Sequence, residues 1–127
     1  MKRDLDLIRH ILLTVESSSE IPVPIDKIST SKYTIEEIAY NIVLLNDAGY
    51  VVLKSNPALS NPFEKFYIER MTMSGCDYLD NVRDPEIWAK TKQTISGVVK
   101  SAGLDFVKRI AAGLIRSAFC AAGVTID

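Results

Sequence analysis

His10, Cys76 and Cys120 are the side chains best suited to metal or nucleophilic chemistry, and this 127-residue sequence holds one histidine and two cysteines in all. A metal centre needs several imidazoles, thiolates or carboxylates at ligand spacing. The nearest approach is Asp4, Asp6 and His10, with Asp6 and His10 four residues apart and so on one face of a helix. The same aspartates suit a helix start, where a carboxylate meets the positive end of the dipole, and that reading predicts no metal. Cys76 and Cys120 form no C-x-x-C pair. They read as free, buried thiols in a reducing compartment, with a disulfide or a reactive thiol as the alternatives. Asp77, Asp80, Asp84 and Glu86 read as a solvated helix face and a cap rather than an acid–base pair, and no glycine-rich phosphate loop occurs. These residues predict a protein that is not an enzyme and takes no metal or cofactor.

Composition sets the class. With 47% hydrophobic and 24% charged residues and a mean hydropathy of +0.10, the chain has the makings of a folded globule rather than a disordered tail. The formal net charge of −1 and a pI near 5.8 argue against a protein whose main task is neutralising phosphates. The opening MKRDLDLIRHILL carries charges within its apolar run, which excludes a signal peptide, and no run of roughly 18 apolar residues is present to span a membrane. The expected location is the cytoplasm.

The elements that must position any site follow from patterning. Asp4 predicts the cap of a helix to about Glu16, with Leu5, Ile8, Leu12 and Val15 at helical spacing and Leu7 and Ile11 beside them. In IPVPI, Ile21, Val23 and Ile25 alternate against two prolines, which predicts an edge strand. DKISTS is too short and polar for more than a turn of helix. Thr34 and Glu37 make a capping box for a helix ending at Gly49. Strands at 50–54 and 66–71 flank a loop with two Asn-Pro steps, forming a hairpin. Thr72 or Ser74 then caps a short helix, GCDYLDNVR, and Asp84-Pro85-Glu86 starts another, with Ile87, Trp88, Thr91, Ile95, Val98 and Val99 as its stripe. A last helix spans 104–122. The expected organisation is a core over residues 1–84 and a helical extension over 85–127, packed on the core or forming a dimer contact. The core holds 9 Lys/Arg against 13 Asp/Glu, and the extension 6 against 3.

Helix, edge strand, short turn, helix and hairpin is the order of a winged helix, so the expected fold class is α+β with a winged-helix-like core. LLNDAGYVV resembles the end of a winged-helix third helix, and MTMSGCDYL the turn after the wing in many bacterial regulators. MKRDLDLIRHILL, EEIAYNIVLLNDAGYV and MTMSGCDYLDNVRDPEIWAKTK together resemble an uncharacterised family of small bacterial and phage or prophage proteins defined by a domain of unknown function. That resemblance implies a winged-helix core, a helical C-terminus and a mobile-element origin, with no catalytic site or ligand implied. A histidine often stands in that family where this chain has Asn41.

The helix over 34–48 decides between two function classes. On a wheel of about 100° per residue, Ile35, Ile38, Ile42 and Leu45 share the core face, while Glu36, Glu37, Tyr40, Val43, Leu44 and Asp47 lie opposite. A major-groove reader needs Arg, Lys, Asn or Gln there, yet residues 34–53 hold no lysine or arginine and this face offers three carboxylates. Glu37, Tyr40, Val43, Leu44 and Asp47 therefore form the candidate protein-interaction patch, unless the C-terminal helices cover them. Lys2, Arg3, Lys54, Lys65 and Arg70 are the candidate DNA contacts of the alternative, a dimeric DNA-binding regulator led by its wing. In the last helix Val107, Ile110, Ala111, Leu114, Ala118 and Ala121 share a stripe opposite Asp105, Lys108, Arg109 and Arg116, and Val107, Ile110, Leu114 and Ala118 are the candidate dimer contacts. The expected partner is a protein, with DNA as the alternative and no membrane.

Overall fold

Asp4 caps the first helix of the computed structural model, its carboxylate accepting from the Leu7 amide at 2.9 Å. The structure describes residues 1–55, 66–98 and 102–123. Helix α1 (Leu5–Ser17) buries Leu7, Ile8, Ile11 and Leu12 completely. The inward face is thus an i, i+1, i+4, i+5 band rather than the expected Leu5–Ile8–Leu12–Val15 stripe, and Leu5 and Val15 are half-buried at its edges. In IPVPI only β1 (Val23–Pro24) is strand; Val23 and Ile25 are buried, whereas Ile21 is 75% exposed. A single 3-10 turn, Ile25–Lys27, follows and leads to the buried Ile28.

Helix α2 (Ile35–Asp47) has both halves of its capping box. The Glu37 amide donates to Thr34 Oγ1 at 3.1 Å and the Thr34 amide to Glu37 Oε1 at 3.0 Å. Its end is set by Gly49 at φ +78°, a left-handed conformation natural to glycine, with the Tyr50 amide donating to Leu45 O and the Gly49 amide to Asn46 O. Ile38, Ala39, Asn41, Ile42 and Leu45 are its buried residues. Strands β2 (Val51–Ser55) and β3 (Phe66–Met71) follow, and the sheet is antiparallel with order β1-β3-β2. The register shifts between Val52 and Leu53, where the Leu53 amide donates to the Asn46 side chain of α2 at 3.3 Å. A fully buried Ile or Leu contributes about 1.5–3 kcal/mol by leaving water. The cluster of α1, α2, Ile25, Ile28, Val51 and Ile68 is therefore the stabilising core of this part.

Helix α3 (Met73–Val82) begins on Thr72, whose hydroxyl accepts from the Gly75 amide at 3.1 Å and donates to Gly49 O; of the two expected caps, Thr72 rather than Ser74 takes the role. The chain divides into two compact units, Met1–Cys76 and Asp77–Asp127, with the division inside α3. In the second unit α4 (Pro85–Ser96) is capped by Asp84, which accepts from the Glu86 and Ile87 amides at 2.9 Å each, and α5 (Leu104–Ala121) packs against α4. The buried residues of this unit are Tyr78, Leu79, Val82, Trp88, Thr91, Ile95, Ala102, Val107 and Ala111. Thr91 satisfies its hydroxyl on Ile87 O at 2.7 Å. Val98, expected on the α4 stripe, is 79% exposed because the helix stops at Ser96, and Val99 lies outside the described residues. The architecture is α+β: among the described residues, five α-helices and one three-stranded antiparallel sheet.

Candidate functional site

The outward side of α2 is a row built by the same helix that holds the core. Tyr40 is 37% exposed, Asp47 and Glu36 are exposed, and Glu37, Val43 and Leu44 are half-buried. All five candidate interaction residues thus share one helix, with Tyr40, Val43, Leu44 and Asp47 at i, i+3, i+4 and i+7. Glu37 has a structural duty as well, since its carboxylate closes the capping box. An apolar strip with an aromatic at its upper end and acids around it can bind by burial, and can reject a polyanion by charge.

At the N-terminal end of this row sits a hydrogen-bonded cluster that the sequence pattern does not reveal as a unit. Asn41 is 1% exposed; its Oδ1 accepts from the Asp4 amide at 2.9 Å, and its Nδ2 donates to Glu37 O at 2.9 Å and to Lys2 O at 3.4 Å. The side chain therefore holds the backbone around Lys2 and Asp4 against α2. Tyr33 completes the cluster by donating its hydroxyl to Asp4 Oδ1 at 3.1 Å. The one available signal was position: Asn41 flanks the Ile38–Ile42–Leu45 face, where a polar side chain must find partners.

Partial burial first, and then the charge and hydrogen bond of Asp4, push the Tyr33 phenol up to about 12, with Asp6 and Glu37 adding to the effect. The folded pKa lies above the ordinary tyrosine value of 10.0, so the stabilisation is complete below about pH 10 and lost as pH rises towards 12. Wild type should therefore be more stable than Tyr33→Phe below about pH 10, and the difference should shrink across that window. Urea unfolding of both proteins at a series of alkaline pH values measures it; a difference that does not change with pH would contradict the linkage.

The candidate DNA contacts are spread over three places. Lys2 and Arg3 are exposed at the N-terminus, Lys54 is exposed on β2 and Arg70 on β3, beside the exposed Glu69. Lys65 lies outside the described residues. On α5, Val107 is fully buried where the helix meets α4 and so is not on an exposed face; Ile110 and Leu114 are half-buried and Ala118 is exposed.

His10 is half-buried and its Nε2 donates to Ile28 O at 3.2 Å. Both cysteines are free; Cys76 is half-buried, but Cys120, expected to be buried, is exposed near the end of α5. Among the described residues no group of three or more His, Cys, Asp or Glu side chains is placed to hold a metal ion. No helix among them is long and apolar enough to cross a membrane. An open groove of about 630 Å³ lies between Ile25, Ile35 and Tyr67, and the Lys27–Glu20 ion pair at 3.6 Å spans residues at its rim.

No solved structure matches the chain. An uncharacterised protein of Haemophilus influenzae is 33% identical over 116 residues, spanning 91% of this chain and 96% of that protein. Residues 2–104, which take in α1 to α4 and the whole α2 row, match a family of hypothetical proteins, and this chain belongs to that family, DUF2513.

Proposed function

We propose that this chain is a non-enzymatic interaction protein, winged-helix in plan, that modulates a protein partner through the outward row of α2. The observation that carries the reading is the chemistry of that row: Tyr40 with Val43 and Leu44, rimmed by Glu36, Glu37 and Asp47, and no lysine or arginine anywhere in residues 34–53. A helix presented to the major groove with this face would set three carboxylates against phosphates, with no cation on the helix to compensate. A protein with an apolar pocket and a basic rim is the complementary partner. The winged-helix reading is supported by the element order and by β1 pairing with β3 rather than β2, which gives the order β1-β3-β2. A phage or prophage origin belongs to the same proposal and rests on the resemblance of MKRDLDLIRHILL, EEIAYNIVLLNDAGYV and MTMSGCDYLDNVRDPEIWAKTK to such proteins.

A second reading, a dimeric DNA-binding regulator, is favoured by the exposed cations Lys54 and Arg70 on the hairpin and by Lys2, whose backbone Asn41 ties to α2. Fluorescence anisotropy with duplex DNA from the gene's own neighbourhood, at about 50 and 200 mM salt, separates the two. The expected result is no binding tighter than roughly 10⁻⁵ M at either salt, the range of non-specific contact. In a parallel pull-down, Tyr40→Ala should lose the captured protein while keeping the wild-type circular dichroism spectrum. Tight, steeply salt-dependent DNA binding that Lys54→Ala and Arg70→Ala abolish would replace the first reading with the second.

A further inference from the structure

Helix α5 is 18 residues long and its partner α4 only 12, or about 27 Å against 18 Å at 1.5 Å per residue. Its buried residues, Val107 and Ala111, both fall in its first eight positions, and none of residues 112–123 is buried. Yet the apolar arc continues without a break: Ile110, Leu114, Ile115, Ala118, Phe119, Ala121 and Ala122 fall on the side of the helix that carries Val107 and Ala111, and Phe119 is 45% exposed. Most helix stability in proteins comes from packing an apolar face, so a half-helix of this composition calls for a cover.

We propose that this half of α5 is the two-fold contact of a homodimer, paired antiparallel with the same segment of a second copy. The occupant follows from the shape and charge of the surface. Centring the contact near Ala118 sets Leu114 and Ile115 of one copy against Ala121 and Ala122 of the other, and the two-fold repeats the match, large side chains over small ones. Residues 110–123 carry Arg116 as their one charge, about 150° around the helix from the middle of the arc, so two copies meet without like charges in the seam. A heterologous partner would more commonly meet a charged rim that sets orientation and specificity, and this surface has none. Antiparallel pairing also sets opposite helix dipoles side by side. The contact buries on the order of 1,000 Å² in total, the lower end for a specific interface, so the dimer dissociates in the micromolar range. The family match ends at residue 104, where α5 begins, so this contact lies on a part of the chain beyond the matched region. The proposal is independent of the α2 row and of what that row binds.

Sedimentation equilibrium of the full chain, from roughly ten to several hundred micromolar, tests it. Wild type should shift reversibly from monomer to dimer. Ala118→Glu, at an exposed helical position that tolerates the side chain in a monomer, should raise the dissociation constant at least tenfold, while Arg116→Gln on the opposite side should not change it. In a Cys120→Ser background, Ala118→Cys should form a covalent dimer on mild oxidation and Arg116→Cys should not. A monomer at every concentration, or a dimer indifferent to Ala118→Glu with no cross-link through position 118, would overturn the proposal.

Discussion

Replacing Gly75 with alanine should bring the first unit close to unfolding, with a loss of about 3–5 kcal/mol out of the 5–15 kcal/mol typical of a domain. A Cβ built on Gly75 overlaps the backbone carbonyl oxygen of Tyr50, and lies 2.7 Å from Met71 Cγ. Methionine could swing away; the carbonyl cannot, because it accepts from the Thr72 amide at 3.0 Å and follows directly on the Gly49 turn. Thr72 binds at both ends of this junction, donating to Gly49 O and accepting from the Gly75 amide, so moving α3 outward to make room breaks these bonds together. Overpacking by one methyl often costs about 1–3 kcal/mol where neighbours can yield, and here the neighbour is backbone. Gly113→Ala is the matched control, since a Cβ there meets nothing within 4 Å and sits inside α5. It should stabilise by about 0.5–1 kcal/mol through helix propensity. Urea unfolding followed by circular dichroism reads both, and a Gly75→Ala protein of wild-type stability would refute the close approach.

Asn41→Ala should cost about 2–4 kcal/mol, more than a typical single substitution. The cost comes from what remains behind: the Asp4 amide loses its acceptor and Lys2 O loses a donor, in a site where Asn41 itself is 1% exposed. An orphaned buried group costs about 1–3 kcal/mol, and the cavity adds to it. The damage should be local first, with the amides of residues 2–5 exchanging faster than those of α2. Asn41→His should recover part of the loss, because one ring nitrogen can still accept from the Asp4 amide. Hydrogen exchange and the urea midpoint test the pair; equal stability of Asn41→Ala and wild type would mean that the clamp contributes nothing.

Much of the molecule was legible because its signals are local. Thr34 with Glu37, Asp84 with Pro85, and Gly49 after an apolar helix each declare a helix end through bonds spanning no more than five residues, and each is realised as the sequence implies. The hairpin expected at 50–54 and 66–71, on either side of the two asparagine–proline steps, has its strands at Val51–Ser55 and Phe66–Met71, the first of them one residue later than expected. The acidic outward row of α2 was readable for the same reason, since a helical wheel needs only the helix.

What the sequence could not supply is what joins distant parts of the chain. The band of α1 that faces inward, the pairing of Val23 on β1 with Ile68 on β3, and the bond from the Asp4 amide to Asn41, 37 positions on, depend on where other elements lie. Gly75 is the sharpest case: in the sequence it is a small residue in a turn-like motif, and only the approach of Tyr50 O makes it irreplaceable. The same holds in reverse for α5, whose periodic stripe predicts a buried face along its whole length, while packing covers only its first half. By itself the sequence determined where elements begin and end and what chemistry each face carries, because caps, turns and periodicity act over a few residues. Tertiary structure alone decided which faces are covered, which small residues are indispensable and which polar groups are clamped, because those properties belong to pairs of surfaces that meet only when the chain is folded.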